Sequence, residues 1–152
     1  MKQEFYYQQM NKAQQNAYRA MLDGFESLSP EFPVLRLDGK ELSDIFFRLR
    51  LDHPAIFYVE GFHYRFARNS EYVQMIPEYM FEKKKIKEMK TALESRISRL
   101  VRQAEGMTPE EKEKYVHEFI CSNVTYDKLK KQYSHEIIGP LQQGIGVCEG
   151  IA

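Results

Sequence analysis

The sequence predicts an α+β fold, mainly helical, with a small antiparallel β-hairpin. Three observations predict it. Apolar residues recur at three- and four-residue spacing over residues 3–23 and again over 82–105, the period of a helix with one buried face. Between them, two short runs rich in aromatic and β-branched residues, 56–66 and 72–76, flank an Asn69-Ser70 turn. A third helical segment, 108–123, carries its own start signals.

In the first helix the apolar face is Met10, Ala13, Ala17, Tyr18, Met21 and Leu22, with Asp23-Gly24 as the expected stop. Ser29-Pro30-Glu31-Phe32-Pro33 reads as an extended linker, because a residue before proline avoids the helical region. Asp38 with Glu41 reads as a capping box for a short helix whose apolar face is Leu42, Ile45, Phe46 and Leu49, ended by His53-Pro54. Ile56-Phe57-Tyr58-Val59 is expected as a buried strand, continued by Phe62, Tyr64 and Phe66. Tyr72-Val73-Gln74-Met75-Ile76 is its partner, with Pro77 marking an edge or a bulge. Ile86, Met89, Leu93, Ile97, Leu100 and Ala104 form one face of the long helix, which Gly106 ends. Thr108-Pro109-Glu110-Glu111 then supplies an N-cap, a proline at the first helical position and a glutamate at the third. Tyr115, Val116, Phe119 and Ile120 are expected to point inward. Residues 124–147 are rich in loop residues.

Composition narrows the function classes. Of 152 residues, 43% are apolar, enough for a core, and 22 basic residues balance 22 acidic ones. A zero net charge gives no reason to expect nucleic acid as a partner, since such binding needs a basic surface. No run of about 18 apolar residues is present, so no membrane span is expected. The polar start Met1-Lys2-Gln3-Glu4-Phe5 has no hydrophobic signal core, which makes a cytoplasmic location the default while leaving export of a longer parent open. Two cysteines, Cys121 and Cys148, are too few for a disulfide framework and are expected as free thiols.

The chemistry concentrates in the last third. A cysteine flanked by glycines and entering a helix has the makings of a nucleophile, because free N–H groups at a helix start favour negative charge. Gly144 and Gly146 allow tight turns before Cys148, and Gly150 allows a close approach by a substrate or another chain segment. His117, Cys121, His135 and Cys148 are zinc-ligand types, but their spacing matches no compact finger and no Cys-x-x-Cys occurs, so neither a metal nor another cofactor is expected. His117 lies four residues before Cys121 on one helix face, and His135 follows Ser134 in a loop; neither is expected to be catalytic. Lys83-Lys84-Lys85, with Lys87 and Lys90, reads as a solvated helix face. Asn123-Val124-Thr125 matches a glycosylation acceptor by chance.

Two segments together, Asn123-Val124-Thr125-Tyr126-Asp127 and Gly146-Val147-Cys148-Glu149-Gly150-Ile151-Ala152, with Ser134-His135 and Gly139 between them, resemble bacterial transglutaminase-like proteins of the papain-like cysteine superfamily. The resemblance covers about a third of the chain. Ile151 stands where that pattern usually has tyrosine. The resemblance implies that Cys148 is the nucleophile of an acyl transfer or amide hydrolysis on protein or peptide-like substrates. It also implies that the histidine base and its orienting aspartate lie beyond the cysteine. Four residues follow Cys148 here, so the base and the orienting residue are expected to be absent and the chain inactive alone. On this reading 1–106 is an accessory domain of helices and hairpin, and 107–152 is the incomplete opening of a transglutaminase-like core. The uncovered apolar residues of that opening are expected to be buried in a homodimer or by a docked tail. The alternative is a non-catalytic binding or scaffold module of the same shape.

Overall fold

The computed structural model describes residues 4–152 and is an α+β fold dominated by helices. The expected helix start at Gln3 lies outside those residues. By packing the chain divides into two units, one ending at Lys83 and the other spanning Lys84–Ala152.

In the first unit, helix α1 (Lys12–Glu26) starts later than its periodicity suggests. Asn11 and Gln14 form a reciprocal capping box there: the Gln14 N–H donates to Asn11 Oδ1 at 2.9 Å, and the Asn11 N–H to Gln14 Oε1 at 3.1 Å. Residues Tyr7–Gln9 before it form a separate 3-10 turn. The helix also runs through Gly24 rather than stopping at it. A Cβ at Gly24 would lie 2.3 Å from the Phe32 ring, so the glycine makes room for an aromatic edge and does not end the helix.

The expected linker contains a strand, β1 (Phe32–Leu35). It pairs with β3 (Tyr72–Tyr79), which also pairs with β2 (Val59–Phe66), giving an antiparallel sheet in the order β1-β3-β2. The predicted hairpin is therefore two-thirds of a three-stranded sheet. β3 is central, yet it holds Pro77. β1 covers only Tyr72 to Met75 of β3, so Pro77 sits where β2 is its one neighbour, opposite Phe62 and near a register shift between Val59 and Gly61. That is the edge-like, irregular setting a proline needs.

Helix α2 (Gly39–Asp52) begins at Asp38, whose side chain accepts the Glu41 N–H at 2.8 Å; this is one half of the expected capping box, and Glu41 Oε1 accepts instead from Gln14 Nε2 at 3.4 Å. The expected strand at Ile56 is instead a 3-10 turn over Pro54–Ile56, set by the proline at its start, and the strand begins only at Val59. Leu42, Ile45 and Leu49 of α2 are buried, as are Tyr18, Met21 and Phe25 of α1. Val34 of β1 and Val73 and Met75 of β3 are equally buried, so the core of this unit draws on both helices and the sheet.

In the second unit, α3 (Lys83–Gln103) is followed by α4 (Pro109–Asn123), and Gly106 between them has φ +84°. The packing division falls at the start of α3 because this helix is bonded to segments C-terminal to it. Tyr115 Oη donates to Gln103 Oε1 at 2.6 Å, Gln142 Nε2 donates to the Met89 carbonyl at 2.9 Å, and Arg96 lies over the Phe119 ring. The α4 start follows its sequence signals: Thr108 Oγ1 accepts the Glu111 N–H at 3.3 Å, and Glu111 Oε2 accepts the Thr108 N–H at 2.8 Å. No α4 residue is fully buried, and Val116, expected inward, is 52% exposed. No helix among the described residues is long and apolar enough to cross a membrane.

Candidate functional site

The loop-rich stretch after α4 is ordered by polar contacts. Two short parallel strands, β4 (Thr125–Tyr126) and β5 (Ile145–Gly146), bring its ends together. The Thr125 N–H donates to the Gly144 carbonyl at 2.8 Å and the Asp127 N–H to the Gly146 carbonyl at 2.9 Å. Gly144 makes the tight turn that its sequence position suggests, with φ +66°. Gly146 has another role. It lies in β5, and a Cβ there would meet Ile151 Cγ1 at 2.8 Å.

Asp127 holds the loop between these strands. Its buried carboxylate accepts the Leu129 N–H at 3.0 Å, the Lys131 N–H at 2.8 Å and the Ser134 hydroxyl at 2.5 Å. The Ser134 hydroxyl, then the Lys131 N–H, hold the Asp127 carboxyl below its ordinary pKa. Ser134 is itself fully buried, and its carbonyl accepts the Val147 N–H at 3.0 Å.

Val147 is the N-cap of α5 (Cys148–Ile151), so one chain of bonds runs from Asp127 through Ser134 to the residue before the candidate nucleophile. Gly150 closes the same contact from the other side: a Cβ there would lie 2.2 Å from the Ser134 carbonyl oxygen. The close approach expected at Gly150 is thus made by the chain's own 134 loop. Gly139 is equally confined, with 2.6 Å from a Cβ to the Ile145 carbonyl oxygen.

Cys148 is the first residue of α5 and its side chain is exposed, free of any disulfide. Its neighbour Glu149 pairs with His135, Oε2 to Nδ1 at 2.5 Å, which fixes His135 beside the start of α5. His117 and Cys121 lie together on the exposed side of α4, with Cys121 Sγ 3.8 Å from His117 Nε2. The four residues weighed as zinc ligands are therefore split between two places, and among the described residues no group of three or more His, Cys, Asp or Glu is arranged to hold a metal.

Residue type alone gives weight to cysteine and histidine and passes over Asp127, Ser134 and Glu149. A signal for Asp127 is present in the sequence. An aspartate that ends a short β-prone run and opens a lysine-rich loop is well placed to accept backbone N–H groups a few residues on. Set against known proteins, the chain matches no family model and no curated sequence.

Proposed function

We propose that this chain carries the nucleophile-bearing opening of a transglutaminase-like cysteine enzyme, with Cys148 as the attacking sulfur. What supports the reading is one convergence. Asn123–Asp127 and Gly146–Ala152, the two segments that carry the resemblance, are bonded to each other and to Ser134, and leave the Cys148 side chain exposed at a helix start. In the proposed reaction the thiolate adds to an amide carbonyl. The tetrahedral adduct expels the amine, which takes up a proton, and a thioester remains for an amine or water to resolve. The proton transfers need a base and a group to orient it. The resemblance puts both C-terminal to the cysteine, and acylation of Cys148 is the step that these residues would carry.

A second reading, a binding or scaffold module, draws on the apolar hollow of about 300 Å³ lined by Ile97, Leu100, Tyr115, Phe119, Ile120 and Ile151. Under either reading that face favours self-association, which sedimentation over a concentration range would detect.

Cys148 separates the two readings. Incubation with p-nitrophenyl acetate, followed by peptide mass mapping, should show Cys148 acetylated severalfold faster than Cys121, with p-nitrophenolate released. Equal labelling of the two cysteines would sink the enzyme reading. Amide turnover that vanishes in Cys148→Ser would send the search for a base to His117 and His135.

A further inference from the structure

The sheet of the first unit has two edges, and they differ in how they are protected. β1 is four residues long and carries Pro33, two of the devices that keep an edge from pairing. β2 runs for eight residues, and among the described residues no strand pairs with its outer edge. Its register shift lies between Val59 and Gly61, which leaves residues 62–66 regular. The two basic side chains in that stretch are tied back to their own molecule. His63 pairs with Glu78, and Arg65 Nη2 lies 2.6 Å from Glu31 Oε2. Neither is left to guard the edge.

The residues that alternate with them are aromatic. Tyr64 and Phe66 stand opposite Met75 and Val73 of β3, which are buried, so they share the core-facing side of the sheet with Phe62. That side is covered at Phe62, whose ring packs on Phe46 at 5.4 Å. It opens along the strand: Tyr64 is 38% exposed and Phe66 62%.

We propose that the free edge of β2 is a homodimer interface, where a second copy adds its own β2 antiparallel to this one with Tyr64 at the two-fold axis. The strand is self-complementary. Phe62-His63-Tyr64-Arg65-Phe66 reads aromatic, basic, aromatic, basic, aromatic in both directions. In an antiparallel pair centred on Tyr64, Tyr64 faces Tyr64 of the second copy and Phe62 faces Phe66. A ladder of aromatic cross-strand pairs then continues across the join. On the other side of the sheet His63 meets Arg65, each accompanied by its own carboxylate. At the ends of the pair, exposed Glu60 of one copy comes level with exposed Arg68 of the other, and opposite charges there favour this register. The same patch serves both copies, so neither keeps an open β2 edge. The patch is small for an interface, and a dissociation constant on the order of micromolar is expected. It shares no residue with the apolar hollow of the second unit and stands without the acyl-transfer reading.

The test is sedimentation of the whole chain from nanomolar to high micromolar concentration, with two variants beside it. Tyr64→Lys sets two ammonium groups opposite each other at the axis and should weaken dimerisation about tenfold or more. Val116→Lys changes the exposed side of α4 and should leave this dimer unchanged. Cross-linking then reads the register. In a background of Cys121→Ser and Cys148→Ser, Tyr64→Cys places two thiols across the axis, where Cα atoms about 4.5–5.5 Å apart lie within disulfide reach. Phe66→Cys places them roughly 14 Å apart along the strands. Under mild oxidation Tyr64→Cys should link severalfold faster than Phe66→Cys. A monomer at every concentration, or dimerisation unweakened in Tyr64→Lys, would overturn the proposal. Cross-linking of Phe66→Cys as fast as that of Tyr64→Cys would overturn it as well.

Discussion

The two units hold themselves together in different ways. In the first, the large side chains Tyr18, Phe25, Leu42, Leu49, Phe57 and Tyr58 are essentially inaccessible to solvent. Polar groups there bond within and beside that packing: Tyr58 Oη donates to the buried Phe25 carbonyl, and Asp52 accepts the Tyr18 hydroxyl and the Tyr6 and Tyr7 N–H groups. In the second unit the long helices bury little. Ile86 and Leu93 are covered, while Val101 and Val116 are more than half exposed. Order there comes from a carboxylate, a serine and glycines pressed against carbonyl oxygens, with Ile138 and Val147 buried in the same stretch of chain. A clean apolar stripe therefore reports a face the chain is able to bury, not one it has buried.

The contrast should be largest in the first core. Phe25 is fully buried, with Phe32 and Phe46 packed edge-on at 5.6 and 5.7 Å. Phe25→Ala is expected to cost about 3–5 kcal/mol, through lost burial and the cavity left behind. Val116→Ala in the second unit should cost less than about 0.5 kcal/mol, as surface changes do. Urea denaturation read by circular dichroism measures both. Similar costs would show that α4 is covered in solution by a second copy of the chain or by another partner.

Glycine substitutions separate packing against rings from packing against backbone. Gly24→Ala gains about 1 kcal/mol of helix propensity but drives a methyl into the Phe32 ring, an overpacking cost of about 1–3 kcal/mol, so a net loss near 1 kcal/mol is expected. Gly150→Ala meets a carbonyl oxygen that is itself bonded to the Val147 N–H. That oxygen cannot step aside without breaking the bond. The variant should expose the Val147 amide to hydrogen exchange and erase the preference of acylating reagents for Cys148. Unchanged protection at Val147 would mean that the 134 loop and α5 are not coupled.

Ser134→Ala tests the same coupling with less force. It removes the hydroxyl and leaves the Asp127 carboxylate with its two backbone donors. The exchange protection of Leu129 and Lys131 should fall about tenfold, the scale of one lost hydrogen bond, while that of the first unit does not move.

These side chains also mark how far the sequence is legible. The helices and their caps are readable at Thr108 and Asp38 because capping is local, settled within four residues. β1 is not, since Phe32-Pro33-Val34-Leu35 becomes a strand only by pairing with Tyr72 to Met75, far along the chain. Gly24 looks like a stop because glycine's freedom is visible in sequence, whereas the ring that needs its missing Cβ is not. At the candidate site Cys148 stands out by residue type. Asp127 and Ser134 do not, because their importance lies in bonds to each other and to Val147 that cross the loop.

The smallest expected effect compares one carboxylate from each unit. Glu4 is held below its ordinary value of 4.5, first by the Arg19 guanidinium and then with help from His53. Asp127 is held below 3.8, first by the Ser134 hydroxyl and then by the Lys131 N–H. Both pKa values are depressed on folding, so each carboxylate lends its full stabilisation above its ordinary pKa and loses it as pH falls through the lower folded value. The side-chain carboxyl carbon shift of Glu4 and the amide shift of Lys131, whose N–H bonds to the Asp127 carboxylate, follow the two titrations. Salt tells the causes apart. Added sodium chloride screens the exposed part of the Glu4–Arg19 pair and should raise the Glu4 midpoint toward 4.5. The Asp127 midpoint should move less, because short hydrogen bonds from neutral donors are not screened by ions outside. Equal movement of the two midpoints would mean that the neighbouring Lys131 charge, rather than the Ser134 hydroxyl and the backbone, holds Asp127, and the second unit would then depend on charge as much as the first depends on packing.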